Sequence, residues 1–193
     1  MVNSGNKPTV VVEKSNGYYE GTLKVLKPLE DQIAMGVKGK KKILIKPNFV
    51  STSVQLASTY ADTVKAVLDL SSKYFEGEVV LGEGPSLGSL DDAITNFGYD
   101  ELIDEYGLKT VDLNKDKCVE IEGVDRNLKQ KIFHVSRTLL ESDYLISVAK
   151  PKTHDTVITT LSIKNVVVGS LVSKGEKEEI HQGTKAIARG RIQ

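Results

Sequence analysis

The sequence has little of several residue types, and each shortage excludes a class of protein. Cys118 is the only cysteine in 193 residues, so one chain can form neither an internal disulfide framework nor a cysteine-ligated iron–sulfur cluster. No apolar run approaches the ~20 residues that a membrane-spanning helix needs. The first residues lack the charged and apolar regions of a signal peptide. The sequence therefore predicts a soluble protein of the cytoplasm, without membrane contact.

The chain also has no net charge, because 26 basic residues balance 26 acidic ones. Overall charge therefore gives no reason to expect binding to nucleic acid or to a lipid surface. Aromatic residues make up only 6% of the chain, and no nucleic-acid-binding motif is present, so nucleic acid is a disfavoured partner. A ligand must be recognised locally. The sequence leaves the formation of homo-oligomers open.

Short apolar runs alternate with amphipathic stretches along the whole chain. This alternation is typical of βαβ units, so we predict an α/β fold with a mainly parallel sheet flanked by helices, in a single domain over residues 1–193. An antiparallel hairpin attached to the sheet edge is expected at residues 117–135. The strands predicted for the sheet are residues 9–13, 43–45, 79–81, 110–113 and 143–148.

The helix pattern is strongest at residues 61–75, where apolar side chains recur at the spacing of one helix face. Ser89 is followed three residues later by Asp92, a spacing that predicts a capped helix start and a helix that continues to Phe97. Residues 156–164 are ambiguous. Their β-branched residues favour a strand, whereas their apolar spacing also suits a helix.

Two lysine clusters follow predicted buried strands. Lys46-Pro47-Asn48 follows the strand at 43–45, and Lys150-Pro151-Lys152-Thr153-His154 follows the strand at 143–148. In open α/β sheets, ligands bind beyond the carboxyl ends of the strands. Both clusters are therefore candidates for one ligand site.

Lys150, Lys152 and His154 alternate along the chain, so an extended backbone would direct all three side chains to the same side. Three converging cations are unfavourable unless solvent or an anion lies between them. The pattern predicts a pocket for a phosphate or a carboxylate. A solvent-exposed basic extension of the strand is the competing interpretation.

Two further segments supply candidate residues. The loop Gly82–Gly88 joins a strand to a helix, as phosphate-binding loops do, and Glu83 beside Gly84 could be a general base, a metal ligand or a counter-ion of the lysines. A helix ending near Asn165 would bring Thr160 and Lys164 onto one face. An ordinary tight turn and an ordinary cationic helix end are the competing interpretations.

These motifs occur in an order that resembles the family catalogued as domain of unknown function 362. The resemblance covers roughly residues 43 to 182 and rests on Lys46-Pro47-Asn48, Glu83-Gly84, Lys150 to His154, Thr160 to Asn165, Gly169 and His181. It implies an α/β fold. Some members of the family carry iron–sulfur cysteine motifs, which this sequence lacks. Members usually continue beyond the position of His181, so the resemblance also implies that the chain is the N-terminal part of a longer unit or a short variant.

Two classes of function remain open. In the first, the protein is an enzyme for a small phosphorylated or carboxylated substrate, with His154 or Glu83 transferring a proton. Neighbouring lysines would lower one another's pKa, so a lysine base or a Schiff-base nucleophile is a further option. The residues expected to hold the substrate are Lys46, Asn48, Gly84, Lys150, Lys152, Thr160, Lys164 and Asn165.

In the second class, the protein is a non-catalytic module that binds an anion or another protein and is associated with a redox system, as the iron–sulfur members of the family imply. No cofactor is identified by the sequence. A divalent metal is one option, because His154 and His181 could ligate it together with Glu83 or Asp155.

Overall fold

Four parallel strands form the central sheet of the protein in a computed structural model, which describes residues 8–125, 127–154 and 158–180. The strands are β1 (Lys42–Lys46), β2 (Glu78–Glu83), β3 (Lys109–Asp112) and β6 (Tyr144–Ser147). Their order in the sheet is β3-β2-β1-β6, and all three pairings are parallel. The predicted α/β fold with a mainly parallel sheet is confirmed.

β1 lies at the centre of the core because its apolar run is covered on both faces. Ile43, Leu44 and Ile45 are fully buried. Continuous burial of successive residues is typical of parallel strands, whose two faces both pack against other elements. The core cluster that includes Ile43 and Ile45 also contains Val64, Val67 and Leu68 of helix α3 (Ala61–Ser71), the helix predicted at 61–75.

The other helices of the N-terminal two thirds also surround this sheet. Helix α4 (Leu90–Asn96) begins with the predicted capping box, in which the amide of Asp92 donates to Ser89 Oγ at 3.1 Å and the amide of Ser89 donates to Asp92 Oδ2 at 3.3 Å. Gly98 follows this helix with a φ of +69°, a conformation that glycine adopts without strain. The helices are α1 (Tyr18–Leu26), α2 (Glu30–Val37), α4 (Leu90–Asn96) and α5 (Asp100–Tyr106).

The strand predicted at residues 9–13 was wrong. Residues 8–15 form neither strand nor helix, and the side chains of Val10 and Val12 are 80% and 85% exposed. The preference of valine for strands reflects packing on a half-buried pleated surface. These valines lie against no such surface, so their composition alone does not place them in the sheet.

The predicted hairpin is confirmed, but it is a separate two-stranded sheet and is not attached to the edge of the central sheet. It consists of β4 (Cys118–Val124) and β5 (Gln130–Ser136), and the short helix α6 (Arg137–Leu140) follows. The outer edge of β5 pairs with a later segment. The amide of Ser136 donates to Ser170 O, and the amide of Val172 donates to His134 O, both at 2.9 Å.

The last described part of the chain lies beyond the carboxyl end of the sheet. β7 (Lys152–His154) and β8 (Ile158–Thr160) form a small antiparallel pair, followed by helix α7 (Ser162–Val167) and by helical residues 174–180. The ambiguous segment at 156–164 therefore contains both a strand and the start of a helix in its described residues. Within the described ranges, no helix is long and apolar enough to cross a membrane.

Candidate functional site

A buried ion pair lies at the carboxyl ends of the two central strands. Lys46 ends β1 and Glu83 ends β2, and their side chains form a salt bridge. Lys46 is 0% exposed and Glu83 is 2% exposed. The second carboxylate oxygen of Glu83 accepts a hydrogen bond from the amide of Phe49 at 2.9 Å. Of the roles that the sequence allowed for Glu83, the geometry shows that of counter-ion to a lysine.

Asn165 completes this buried cluster from α7. Its side-chain oxygen accepts from the Lys46 ammonium and from Asn48 Nδ2, each at 3.2 Å. Its side-chain nitrogen faces three acceptors at 3.1 to 3.3 Å, which are the carbonyl oxygens of Lys46 and Pro47 and Ser147 Oγ. One amide side chain thus links α7 to the ends of β1 and β6.

Gly169 allows the backbone after α7 to approach this cluster closely. A Cβ atom at this position would stand 2.9 Å from Lys46 Nζ and 2.2 Å from the carbonyl oxygen of Asn165. Both distances are shorter than normal van der Waals contact. Gly169 is one of the residues on which the family resemblance rests. The close packing around the Lys46 ammonium leaves no room for a larger residue at this position.

A cavity of about 640 Å³ opens beside the buried cluster. Residues from the carboxyl ends of β1, β2 and β3, from β7 and β8, and from the helical segments after them contribute to its walls. The polar residues in its walls include Asn48, Glu83, Asn114, Lys152, His154, Thr160, Lys164, Asn165, Lys174, Lys177 and Glu178. The site therefore lies where ligands bind in parallel α/β sheets.

Two lysines of the cavity are each held by an asparagine. The Lys152 ammonium donates to Asn48 Oδ1 and, at 3.0 Å, to the carbonyl oxygen of Lys150. The Lys177 ammonium donates to Asn114 Oδ1. The pKa of Lys152 and that of Lys177 are both lowered to about 8, and burial is the largest cause of each shift. The nearby Lys164 lowers the pKa of Lys152 further, and the Glu83 carboxylate opposes the shift at both lysines.

Thr160 brings an unsatisfied hydroxyl to the same cavity. The residue is 3% exposed, and within the described part of the chain its Oγ1 is the only buried side-chain nitrogen or oxygen without a hydrogen-bond partner. A buried polar group without a partner costs free energy. A ligand that bonded to this hydroxyl would remove that cost. The sequence allowed a helix that would bring Thr160 and Lys164 onto one face. In the structure Thr160 ends β8 and Lys164 lies in α7, so the two residues do not share a helix.

Lys150 does not line the cavity. Its ammonium lies 4.5 Å from the ring centroid of Tyr60 and 4.9 Å from that of Tyr18, and the two rings are stacked on each other. A cation at this distance from an aromatic face is attracted by the ring. The expectation that three alternating side chains share one side therefore applies to Lys152 and His154, which line the cavity, and not to Lys150.

Most of the residues predicted for the site lie together, whereas some of the suggested metal ligands cannot be placed. Asn48, Glu83, Gly84, Lys152, His154, Thr160, Lys164 and Asn165 come together around the cavity, with Lys46 buried behind them. His181 and Asp155, two of the suggested metal ligands, lie outside the described residues. Across the described ranges, no group of three or more His, Cys, Asp or Glu residues could hold a metal ion.

Sequence reasoning missed Asn114, Lys174, Lys177 and Glu178 as parts of the cavity wall. Asn114 lies two residues after the end of β3, so the same strand-end argument that selected Lys46 could have found it. Lys174 and Lys177 are three residues apart in the helical segment 174–180, a spacing that places both on one helix face. The residues just before that segment, 170–172, bond to the backbone of β5, a long-range pairing that no local pattern reveals.

The geometry defines an α/β protein with a lysine-lined cavity at the carboxyl edge of its parallel sheet. The chain belongs to the family described as domain of unknown function (DUF362), whose family model matches residues 43–191. This match confirms the resemblance predicted from the ordered motifs. No curated protein sequence matches the chain significantly.

Proposed function

We propose that this protein binds a small phosphorylated or carboxylated ligand in the lysine-lined cavity and acts on it as an enzyme. One observation carries the proposal: four lysines converge on a single cavity from three elements, with Lys152 in β7, Lys164 in α7, and Lys174 and Lys177 in the helical segment 174–180. Hydrogen bonds from ammonium groups to carboxylate or phosphate oxygens are among the strongest in proteins. A ligand with two negative charges would satisfy several of these lysines at once.

Among the described residues of the cavity wall, lysines outnumber carboxylates. Glu83 is paired with Lys46, and Glu178 is the second carboxylate of the described wall. Within that part of the wall, four lysines therefore stand against two carboxylates. The volume of about 640 Å³ is in the range of ordinary small-molecule sites.

His154 is the proposed proton-transfer residue. It lies in β7, two residues after Lys152, and lines the same cavity. An imidazole side chain can both accept and donate a proton near neutral pH. Glu83 is a poorer candidate because both its oxygens are engaged, one by Lys46 and one by the amide of Phe49. We assign Glu83 to holding the site together.

Isothermal titration calorimetry with inorganic phosphate and with succinate tests the binding step. We expect both Lys164→Gln and Lys177→Gln to weaken binding by about tenfold, because a charge-assisted hydrogen bond contributes about 1.5–3 kcal/mol. Lys38→Gln is the matched control, since Lys38 is exposed and lies outside the cavity wall. Absence of binding to the wild-type protein, or equal weakening by all three changes, would overturn the proposal.

A cytoplasmic location is part of the same proposal. Cys118 is exposed and unpaired, as is usual for cysteines in a reducing compartment. Fractionation of cells that express the protein, with the protein detected by antibody, would place it in the soluble cytoplasmic fraction. Recovery from a membrane or extracellular fraction would contradict this part of the proposal.

A further inference from the structure

The side chain of Lys152 lies in a setting that differs from that of an ordinary ligand-binding cation. Its two hydrogen bonds go to Asn48 Oδ1 and to the carbonyl oxygen of Lys150, which are both uncharged. A neutral amine has two N–H donors and one lone pair. Both donors of a neutral Lys152 are therefore satisfied by these acceptors, and its lone pair is left for a ligand in the cavity that the residue lines.

Lys46, in the same site, shows the opposite arrangement. It is fully buried, and it forms an ion pair with the Glu83 carboxylate. Among the residues that the structure describes, no carboxylate forms an ion pair with Lys152. Its charged neighbours include Lys164 and Lys150, and burial together with these cations lowers its pKa to about 8. With this pKa, about a tenth of Lys152 exists as the nucleophilic amine at pH 7, far more than for a lysine with the usual pKa of about 10.4.

We propose that Lys152 is a nucleophile that forms an imine with the carbonyl carbon of an anionic aldehyde or ketone held in the cavity. The inference rests on the proposed anion site and names its substrate class: 2-oxo acids and phosphorylated aldehydes or ketones. Lys164, Lys174 and Lys177 remain to hold the carboxylate or phosphate while Lys152 reacts.

Lys177 is assigned to binding rather than to the covalent step. Its ammonium donates to Asn114 Oδ1, the one acceptor that the described residues offer it. Two of its three N–H groups are therefore left for the oxygens of an anion. Lys152, by contrast, has both N–H groups of its amine form engaged by the protein.

Thr160 gives the carbonyl oxygen a partner. Its buried Oγ1 has no acceptor or donor among the described residues, and it lines the same cavity. In the reaction, the Lys152 nitrogen forms a bond to the carbonyl carbon, and the C–O π bond opens onto the oxygen. The oxygen then leaves as water with the two hydrogens of the amine, and a C=N bond remains. No electrons are gained or lost, so the step needs no oxidant or reductant.

Reductive trapping with pyridoxal 5′-phosphate, an anionic aldehyde, tests the inference. The intact protein is incubated with the probe near pH 7.5, reduced with borohydride and digested, and the modified lysine is found by peptide mass spectrometry. We expect the adduct on Lys152, at least about tenfold less labelling with pyridoxal, which lacks the phosphate, and protection by excess inorganic phosphate. A distribution over exposed lysines, or labelling of Lys177 alone, would overturn the assignment.

Two variants separate this inference from the proposed function. In Lys152→Met the adduct should be lost, while inorganic phosphate should still bind through Lys164 and Lys177, although more weakly than in the wild-type protein. Calorimetry measures this binding independently of any reaction. In Lys177→Met the adduct should still map to Lys152 but form at a reduced rate. If wild-type protein does not bind phosphate, the proposed function fails. If it binds phosphate but Lys152 is not trapped, the imine proposal alone fails.

Discussion

The Lys46 ammonium and the Glu83 carboxylate, at the ends of adjacent strands, form an ion pair that is almost entirely removed from solvent. Removing one partner of such a pair leaves a buried charge without compensation. We expect Glu83→Gln to lower the free energy of unfolding by about 3–5 kcal/mol. Urea denaturation followed by circular dichroism measures this loss.

The exposed pair Lys65–Glu105 is the matched control. Its side chains are 35% and 50% exposed, so Glu105→Gln should cost no more than about 1 kcal/mol. Replacing both partners of the buried pair, as in Lys46→Met with Glu83→Gln, should cost less than the two single changes combined. Equal losses in the buried and the exposed pair would show that Lys46 is not buried as described.

Gly169 gives a second prediction about the same cluster. A Cβ atom here would overlap the Asn165 carbonyl oxygen and press on the Lys46 ammonium, so Gly169→Ala should cost about 1–3 kcal/mol. Thermal unfolding detects this loss as a lower midpoint. Gly175→Ala is the control, because its nearest neighbour is 3.7 Å away and it lies in the helical segment 174–180, where alanine is favoured. A lower midpoint for both variants would argue against a special role for Gly169.

Anion binding should be linked to proton uptake near pH 8. The pKa values of Lys152 and Lys177 are lowered to about 8, so each side chain is about half protonated at that pH in the free protein. A bound anion favours the protonated form and raises both pKa values. Binding should therefore take up protons at pH 8 and few at pH 6, where both lysines are already charged.

Calorimetry with sulfate, which does not titrate in this range, checks the uptake when it is repeated in buffers of different ionisation enthalpy. The apparent binding enthalpy should depend on the buffer at pH 8 and hardly at pH 6. The affinity should fall as the pH rises above about 8, since the free lysines become neutral. A buffer-independent enthalpy at pH 8 would mean that the two lysines stay fully charged in the free protein.

A fourth prediction concerns the contact between the hairpin and the helical segment 174–180. His134 Nδ1 lies 2.6 Å from Glu176 Oε1, the His134 amide donates to Glu176 Oε2 at 3.0 Å, and Glu120 lies 3.9 Å from His134 Nε2. The hydrogen bond to Glu176 raises the pKa of His134. Because the pKa of His134 is higher in the folded than in the unfolded protein, protonation of His134 stabilises the fold. This contribution is fully present below the unfolded pKa of about 6.5 and is lost as the pH rises through the pKa of the folded protein.

His134→Gln should therefore lower the urea midpoint more at about pH 5.5 than at about pH 9. Glu120→Gln is the comparison, because the Glu120 side chain is 73% exposed and more distant from the ring, and it should have a smaller effect at both pH values. An effect of His134→Gln that does not change with pH would indicate packing rather than charge. The measurement also tests how the segment that carries Lys174 and Lys177 is held.

The sequence was informative where local chemistry decides the structure. The apolar run Ile43–Ile45 predicted a buried strand because such runs are stable only when both faces are covered. Ser89 and Asp92 predicted a helix start because the two side chains bond to each other's backbone amides. The same reasoning placed Lys46 and Glu83 at strand ends, where the structure has them.

The rest depends on contacts between segments that are distant in the chain. Lys150 lies against Tyr18 and Tyr60, which no spacing around Lys150 could indicate. The valines at 10 and 12 have the composition of a strand but no neighbour to pair with. Lys177 reaches Asn114 because residues 170–172 bond to the backbone near the end of β5. Such placements follow from tertiary structure alone.

The order of the strands has a consequence for the protein as it is made. β1, β2 and β3 lie side by side in the sheet and leave the ribosome first, so three quarters of the sheet and the Lys46–Glu83 pair can assemble early. Asn165 and Gly169, which enclose that pair, are synthesised more than a hundred residues after Lys46. A nascent chain therefore carries these two central charges in water until the segment that contains Asn165 and Gly169 folds over them and removes them from solvent.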